Sequence, residues 1–255
     1  MTATDLNQEY ILLSKKYVSE ELSKKLSAVW DKVSIFIYGS VSYGLADGFS
    51  NANIEVIYPD NEFTETKSFF VRENKKEIKV DFSPWSKYEG YITKPLQNAE
   101  YEYWVVQKAI ILHDPSGRFH SIQGKINDYF PDNVWRDKIF GRWFDVAFNW
   151  VKKALERNDG ITTQVCKGKM VQAMLELTFL LNRQYIPPVK WLHGKFLELP
   201  ILSKEIEPHL NKILEIEKAE DMETENQAIR DLIGGYIKEK ELLPQDKTDK
   251  PWMYV

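Results

Sequence analysis

The stretch that decides the reading is "IFIYGSVSYGLADGFSNANIEVIY", residues 35–58. The short apolar, β-branched run over 33–38 predicts a buried strand. It ends on Gly39-Ser40, and a turn-rich segment carrying Gly44, Asp47 and Ser50 follows. A second strand is expected over 52–58, where Ala52, Ile54 and Val56 alternate with Asn53, Glu55 and Ile57. A glycine closing a strand lets backbone approach a phosphate, and a serine hydroxyl with exposed N–H groups can donate to it. The same turn is expected to open a short helix. Strand–Gly–Ser turns are common on surfaces, so the neighbours decide its meaning.

Outward from that stretch, Pro59-Asp60-Asn61 breaks the second strand, and "KSFFVRENKKEIKVDFSPW" (67–85) reads as two strands joined at a polar turn over 73–76. In the later one Ile78, Val80 and Phe82 point one way, Lys79 and Asp81 the other. Residues 104–114 fit helix or strand, with a strand expected in the latter half, and Asp114-Pro115-Ser116-Gly117 is a turn. Before the stretch, Tyr10, Leu13, Tyr17, Leu22, Leu26 and Trp30 give residues 7–30 the apolar stripe of a helix. Beyond 115 the pattern turns helical over 118–130, 132–158, 162–184, 204–218 and 220–241. The expected fold is therefore α+β: a mixed-sheet domain with flanking helices over 1–115, then an all-helical lobe over 116–255. Trp135, Ile139, Trp143, Val146, Trp150 and Leu155 form a wide stripe on one long helix and are read as core.

The chain of 255 residues has a 43% hydrophobic fraction, enough for a substantial core, and a net charge of −4 that argues against a broad nucleic-acid surface. A single Cys166 rules out an internal disulfide or a cysteine zinc site, and His113, His120, His193 and His209 lack metal-ligand spacing. "MTATDLNQEYILL" has no signal-peptide pattern and no run reaches the roughly 18 apolar residues of a membrane span. No membrane role is expected, and a cytoplasmic location is.

Tyr38-Gly39-Ser40, then Gly44, Asp47 and Ser50, then Asn51-Ala52-Asn53-Ile54-Glu55, with Asp81 in "KVDFS", resembles the signature of the DNA-polymerase-β-like nucleotidyltransferase superfamily. Members carry hydrophobic–Gly–Ser, an Asp–hydrophobic–Asp or Glu pair on the next strand, and a third acid on a later strand. The likeness is closest to small-molecule adenylyltransferases of the aminoglycoside and lincosamide type, which brings antibiotic resistance into view. It implies transfer of a nucleoside monophosphate, AMP from ATP, to a hydroxyl of a small molecule, with Mg²⁺ as cofactor. A tRNA end is another hydroxyl-bearing acceptor, against which the acidity of the chain counts. The resemblance places Asn51, Asn53 and Asp81 on the metal side, Glu55 as a substitute catalytic acid, and Gly39, Ser40 and Ser50 on the phosphate side. Lys190, after a double proline and beside Trp191, could add an ammonium to the phosphates or simply cover the ring. Lys152, Lys167 and Lys169 could also reach phosphate, and Glu100 or Glu102 could serve an acceptor; for each, a solvated helix face is the competing reading. Asp47 is expected to order its turn.

The departure lies at two positions. Residues i and i+2 of a strand point the same way, so 51, 53 and 55 form one row beside Asp81. Asparagine keeps an acceptor but lacks the charge that balances Mg²⁺. Several readings follow: a shifted site using Glu55 and Asp81, a pseudoenzyme that binds nucleotide or a protein partner, an Asp→Asn pair in an otherwise intact enzyme, or a merely polar start to the strand.

Overall fold

The structure, a computed structural model, describes residues 3–64, 67–73, 76–97 and 100–254. Five strands, β1 (Ser34–Tyr38), β2 (Ala52–Tyr58), β3 (Phe69–Glu73), β4 (Lys76–Pro84) and β5 (Ile110–His113), form one sheet in the order β3-β4-β2-β1-β5. The β2–β4 pair is parallel and the other three are antiparallel, so the sheet is mixed and the fold is α+β. All five strands fall in segments whose sequence alternates or runs apolar. The turn expected over 73–76 has its centre, 74 and 75, outside the described residues; Glu73 and Lys76 pair across it.

Burial separates the two faces of this sheet. Ile35 and Ile37 of β1, Ala52, Ile54 and Val56 of β2, and Ile78 and Val80 of β4 join one core. Tyr10 and Tyr17 of α1 (Ala3–Tyr17) and Val18 and Leu22 of the π turn that continues it, Val18–Leu22, belong to the same core. A short α2 (Ser23–Lys25) ends this arm, five residues before the expected stop at Trp30. The opposite face carries Phe36, Tyr38, Asn53, Glu55, Lys79, Asp81 and Ser83, brought side by side by the registers Phe36↔Glu55, Tyr38↔Asn53, Asn53↔Lys79 and Glu55↔Asp81. Helices α3 (Trp85–Thr93), α4 (Glu100–Gln107) and α5 (Arg118–Asn127) supply aromatic cover there. Phe36 stacks on Phe119 of α5 at 4.3 Å and meets Tyr88 of α3 edge-on at 5.8 Å. Tyr103 of α4 donates its hydroxyl to the Tyr91 carbonyl at 2.9 Å.

The chain divides into two compact units after Tyr129, later than the division at 115 read from the sequence. The reason is α5: its Phe119 packs into the aromatic cluster of the sheet unit, while Asp114 caps its start through the amide of His120.

The second unit is helical: α6 (Asp132–Ala147), α7 (Trp150–Glu156), α8 (Gly160–Leu181), α9 (Leu192–Phe196), α10 (Ser203–Glu215), α11 (Ala219–Ile229), α12 (Gly235–Glu239) and α13 (Gln245–Asp249). A π turn, Arg230–Gly234, joins α11 to α12. Trp135, Ile139, Trp143 and Val146 are buried as the stripe predicts. Their indoles are satisfied, Trp135 by the Leu180 carbonyl at 2.7 Å and Trp143 by the Thr248 carbonyl at 3.0 Å. Trp150 is a correction: the expected long helix breaks at Phe148-Asn149, the Asn149 side chain caps α7 through the Lys152 amide, and Trp150 is left 46% exposed.

Candidate functional site

The turn after β1 is held by short-range bonds. Tyr43 N–H donates to the Gly39 carbonyl at 3.2 Å and Leu45 N–H to the Ser40 carbonyl at 2.9 Å. These close a single turn over 40–44 rather than the expected short helix, because Gly44, at φ 73°, reverses the chain. Gly39 has φ 82°, a conformation open to glycine. A Cβ there would also lie 2.7 Å from Asn53 Nδ2, so the Asn53 amide rests directly on the Gly39 backbone. Ser40 is buried beneath the turn.

Asp47 and Ser50 form a second, self-contained turn. Asp47 Oδ1 accepts from the Phe49 amide at 3.0 Å and from the Ser50 hydroxyl at 2.9 Å, and Ser50 Oγ accepts from the Asp47 amide at 3.0 Å. Tyr10 of α1 donates to the Ser50 carbonyl at 2.6 Å. Asp47 thus orders its turn as expected, and Ser50 does the same work. This fixes where β2 begins and hence the register of 51, 53 and 55.

On the polar face, Asp81 is the hub. Tyr38 donates its hydroxyl to Oδ2 at 2.5 Å, while Oδ1 takes the Ser68 hydroxyl and the Lys79 ammonium, the latter at 2.8 Å. Burial pushes the Asp81 carboxyl up, but the Lys79, Ser68 and Tyr38 bonds outweigh it and hold it below the usual carboxylate range. Burial, helped by the Asp81 hydrogen bond, raises the Tyr38 phenol well above its ordinary value, so Tyr38 stays a donor.

Glu55, beside Asp81 in register, is different. It is 5% exposed, its Oε1 has no hydrogen-bond partner, and the Lys87 ammonium of α3 stands 3.9 Å from that atom. Burial pushes its carboxyl above the usual range against the opposing pull of Lys87, Ser83 and Tyr88. Lys87 also donates to Ser83 Oγ at 3.2 Å. Asn51 Nδ2 donates to Glu77 Oε2 at 3.1 Å, and Glu77 in turn pairs with Arg72.

The expected Mg²⁺ can be tested against these donors. Among the described residues no group of three or more His, Cys, Asp or Glu is placed to hold a metal ion. Asp81 spends both oxygens on three donors, one of them an ammonium. Asn53 contributes no charge, and Asn51 turns its amide nitrogen to Glu77. The residues present do not fit a two-metal centre.

Of the sequence-derived residues, the sheet unit brings together Gly39, Ser40, Asn53, Glu55 and Asp81, with Asn51 and Ser50 at the head of β2. Lys190 belongs to the helical unit, where its ammonium lies 4.0 Å over the Trp191 ring. Lys152 pairs with Glu223 at 2.8 Å, and buried Lys167 donates to the Leu214 carbonyl at 2.8 Å near the end of α10. Lys169 lines a cavity of about 610 Å³ within the helical unit, with Arg142, Phe148, Trp150, Cys166 and Glu176. Burial, and then the neighbouring Glu102 carboxylate, raises the Tyr91 phenol above its ordinary value. Sequence reasoning placed Lys79 on the Asp81 side of β4 and Tyr38 in the signature but gave neither a role, and it missed Ser68, Glu77 and Lys87. For Glu77 the signal was its place in the same alternation.

The mixed sheet with its flanking helices is a nucleotidyltransferase-like fold. The chain is similar to the crystal structure of a nucleotidyltransferase-like protein from Exiguobacterium sibiricum, with a TM-score of 0.52 and 14% identity over 89% of this chain and 79% of that one. A domain family of unknown function, DUF4037, matches residues 96–192, which begin after β4 and leave out the polar face of the sheet. A search of curated proteins finds no match. No helix among the described residues is long and apolar enough to cross a membrane.

Proposed function

We propose that this chain binds a nucleoside triphosphate, ATP by the resemblance of its Gly39-Ser40 turn, and does not carry out metal-dependent nucleotidyl transfer. One observation carries the reading: Asp81, the acid where the signature expects it, has both oxygens engaged by Tyr38, Ser68 and Lys79, and positions 51 and 53, where the signature expects the acid pair, are amides. Phosphoryl-transfer chemistry asks the protein mainly for positioning and charge neutralisation. The turn supports positioning, through Gly39 and the backbone around it; the donor set offers no cage for the metal that would neutralise and activate.

A second reading keeps the enzyme: AMP passes from ATP to a hydroxyl of a small molecule, an aminoglycoside- or lincosamide-like acceptor included. It draws on the buried, unpartnered Oε1 of Glu55, an acid in reserve beside Asp81.

Incubation with ATP, Mg²⁺ and a panel of hydroxylated acceptors separates the two, with pyrophosphate release and ATP binding measured together. The proposal expects ATP binding and no pyrophosphate from the unaltered chain. Sustained pyrophosphate release would establish the second reading instead. Release only after Asn51→Asp and Asn53→Asp would show a disabled enzyme that still binds its nucleotide.

A further inference from the structure

We infer that Lys79 and Lys87 are resident cations of this site, standing in for a metal ion, and that the ligand they accept is a nucleoside polyphosphate free of divalent metal. The inference rests on the nucleotide-binding reading and deepens it.

The argument begins with charge. Aspartates at 51 and 53 would add two carboxylates to Asp81 and Glu55 on the polar face, which would then need a divalent ion before a triphosphate could approach. Here those two positions are neutral, and the residue paired with Asn53 across the β2–β4 ladder is Lys79. Its ammonium sits 2.8 Å from Asp81 Oδ1, against the carboxylate that a metal would have used. Lys87 stands farther from Glu55, at 3.9 Å, without a hydrogen bond to it. Asp81 and Glu55 thus each have an ammonium of the protein's own within 4 Å.

Geometry leaves these ammoniums able to act. The Lys79 and Lys87 side chains are 33% and 42% exposed, whereas Asp81 and Glu55 beneath them are 14% and 6% exposed. An ammonium has three N–H donors, and Lys79 gives one to Asp81. With a third of its side chain exposed, Lys79 keeps donors for phosphate oxygens, which would accept charge-assisted bonds. Asp81 is then a positioning residue: with Tyr38 and Ser68 it fixes the Lys79 side chain. Asn53 completes the surface by covering Gly39 without adding a repelling charge.

Calorimetric titration of the intact protein with ATP tests this, once in EDTA and once in excess Mg²⁺. Binding in EDTA at least as tight as in Mg²⁺ is expected. Lys79→Gln should weaken it about tenfold or more, and Lys87→Gln severalfold, as losses of charge-assisted bonds. Lys79→Arg, which keeps the charge, should recover most of the loss. Circular dichroism and melting curves matching the parent will show that the variants fold, since Asp81 keeps Tyr38 and Ser68. Binding that needs Mg²⁺ would overturn the lysine assignment while leaving the nucleotide reading intact. Parent-like affinity in both glutamine variants would do the same. No binding in either buffer would overturn both.

Discussion

Gly39 and Asn53 act as one contact. The backbone at Gly39 is left-handed and the Asn53 amide fills the space a side chain would need. Gly39→Ala therefore pays twice, through about 1–2 kcal/mol of backbone strain and through displacement of Asn53. Its chemical denaturation midpoint should fall, and ATP affinity with it. Glu55 gives a pH test. Its folded-state carboxyl titrates above the unfolded value, so the stability linked to its protonated form is complete below the ordinary carboxylate pKa and is lost as pH rises through the raised one. Glu55→Gln cannot ionise. Melting curves should show the variant level with its parent near about pH 4 and ahead of it by about pH 8. A gap that stays constant with pH would show that Glu55 does not titrate in this way. At this scale the sequence was informative: the glycine, the serine turn and Asp81 announce themselves by residue type.

At the scale of elements, β4 carries what the sequence did not make plain. Glu77, Lys79, Asp81 and Ser83 alternate along one strand, but their meaning comes from the parallel register with β2, which sets Asn53 beside Lys79 and Glu55 beside Asp81. Such pairing is non-local, and no spacing within either strand encodes it. The strands themselves were legible because alternation is local. Asn51 shows what the pairing does: its amide donates to Glu77. Asn51→Asp would set one carboxylate against another, and a loss of about 1–3 kcal/mol in EDTA is expected, measured by thermal melting. In the helical unit, the π turn Arg230–Gly234 crosses the Trp143 ring so closely that a Cβ on Gly234 would meet it at 3.1 Å. Gly234→Ala should cost about 1–3 kcal/mol by overpacking. The misplaced Trp150 has a local cause as well: Asn149 is an N-cap within a stretch whose apolar spacing reads as unbroken helix.

Over the whole molecule, the α+β class and the order of strands before helices were readable, while the division between units was not. Asp114 to Gly117 looks like a boundary because it is a strong turn, yet it only redirects the chain into α5, whose Phe119 completes the aromatic layer of the sheet. A nucleotidyltransferase-like fold whose polar face sets the Lys79 and Lys87 ammoniums beside its acids, in place of a metal, joins the three scales. Manganese is a direct probe of that claim, since its free ion has a strong paramagnetic resonance signal that weakens on binding. In a titration of the intact protein with Mn²⁺, the unaltered chain should leave the free-ion signal undiminished, and the Asn51→Asp/Asn53→Asp form should reduce it. Stoichiometric loss of the signal with the unaltered chain, abolished by Asp81→Asn, would contradict the account.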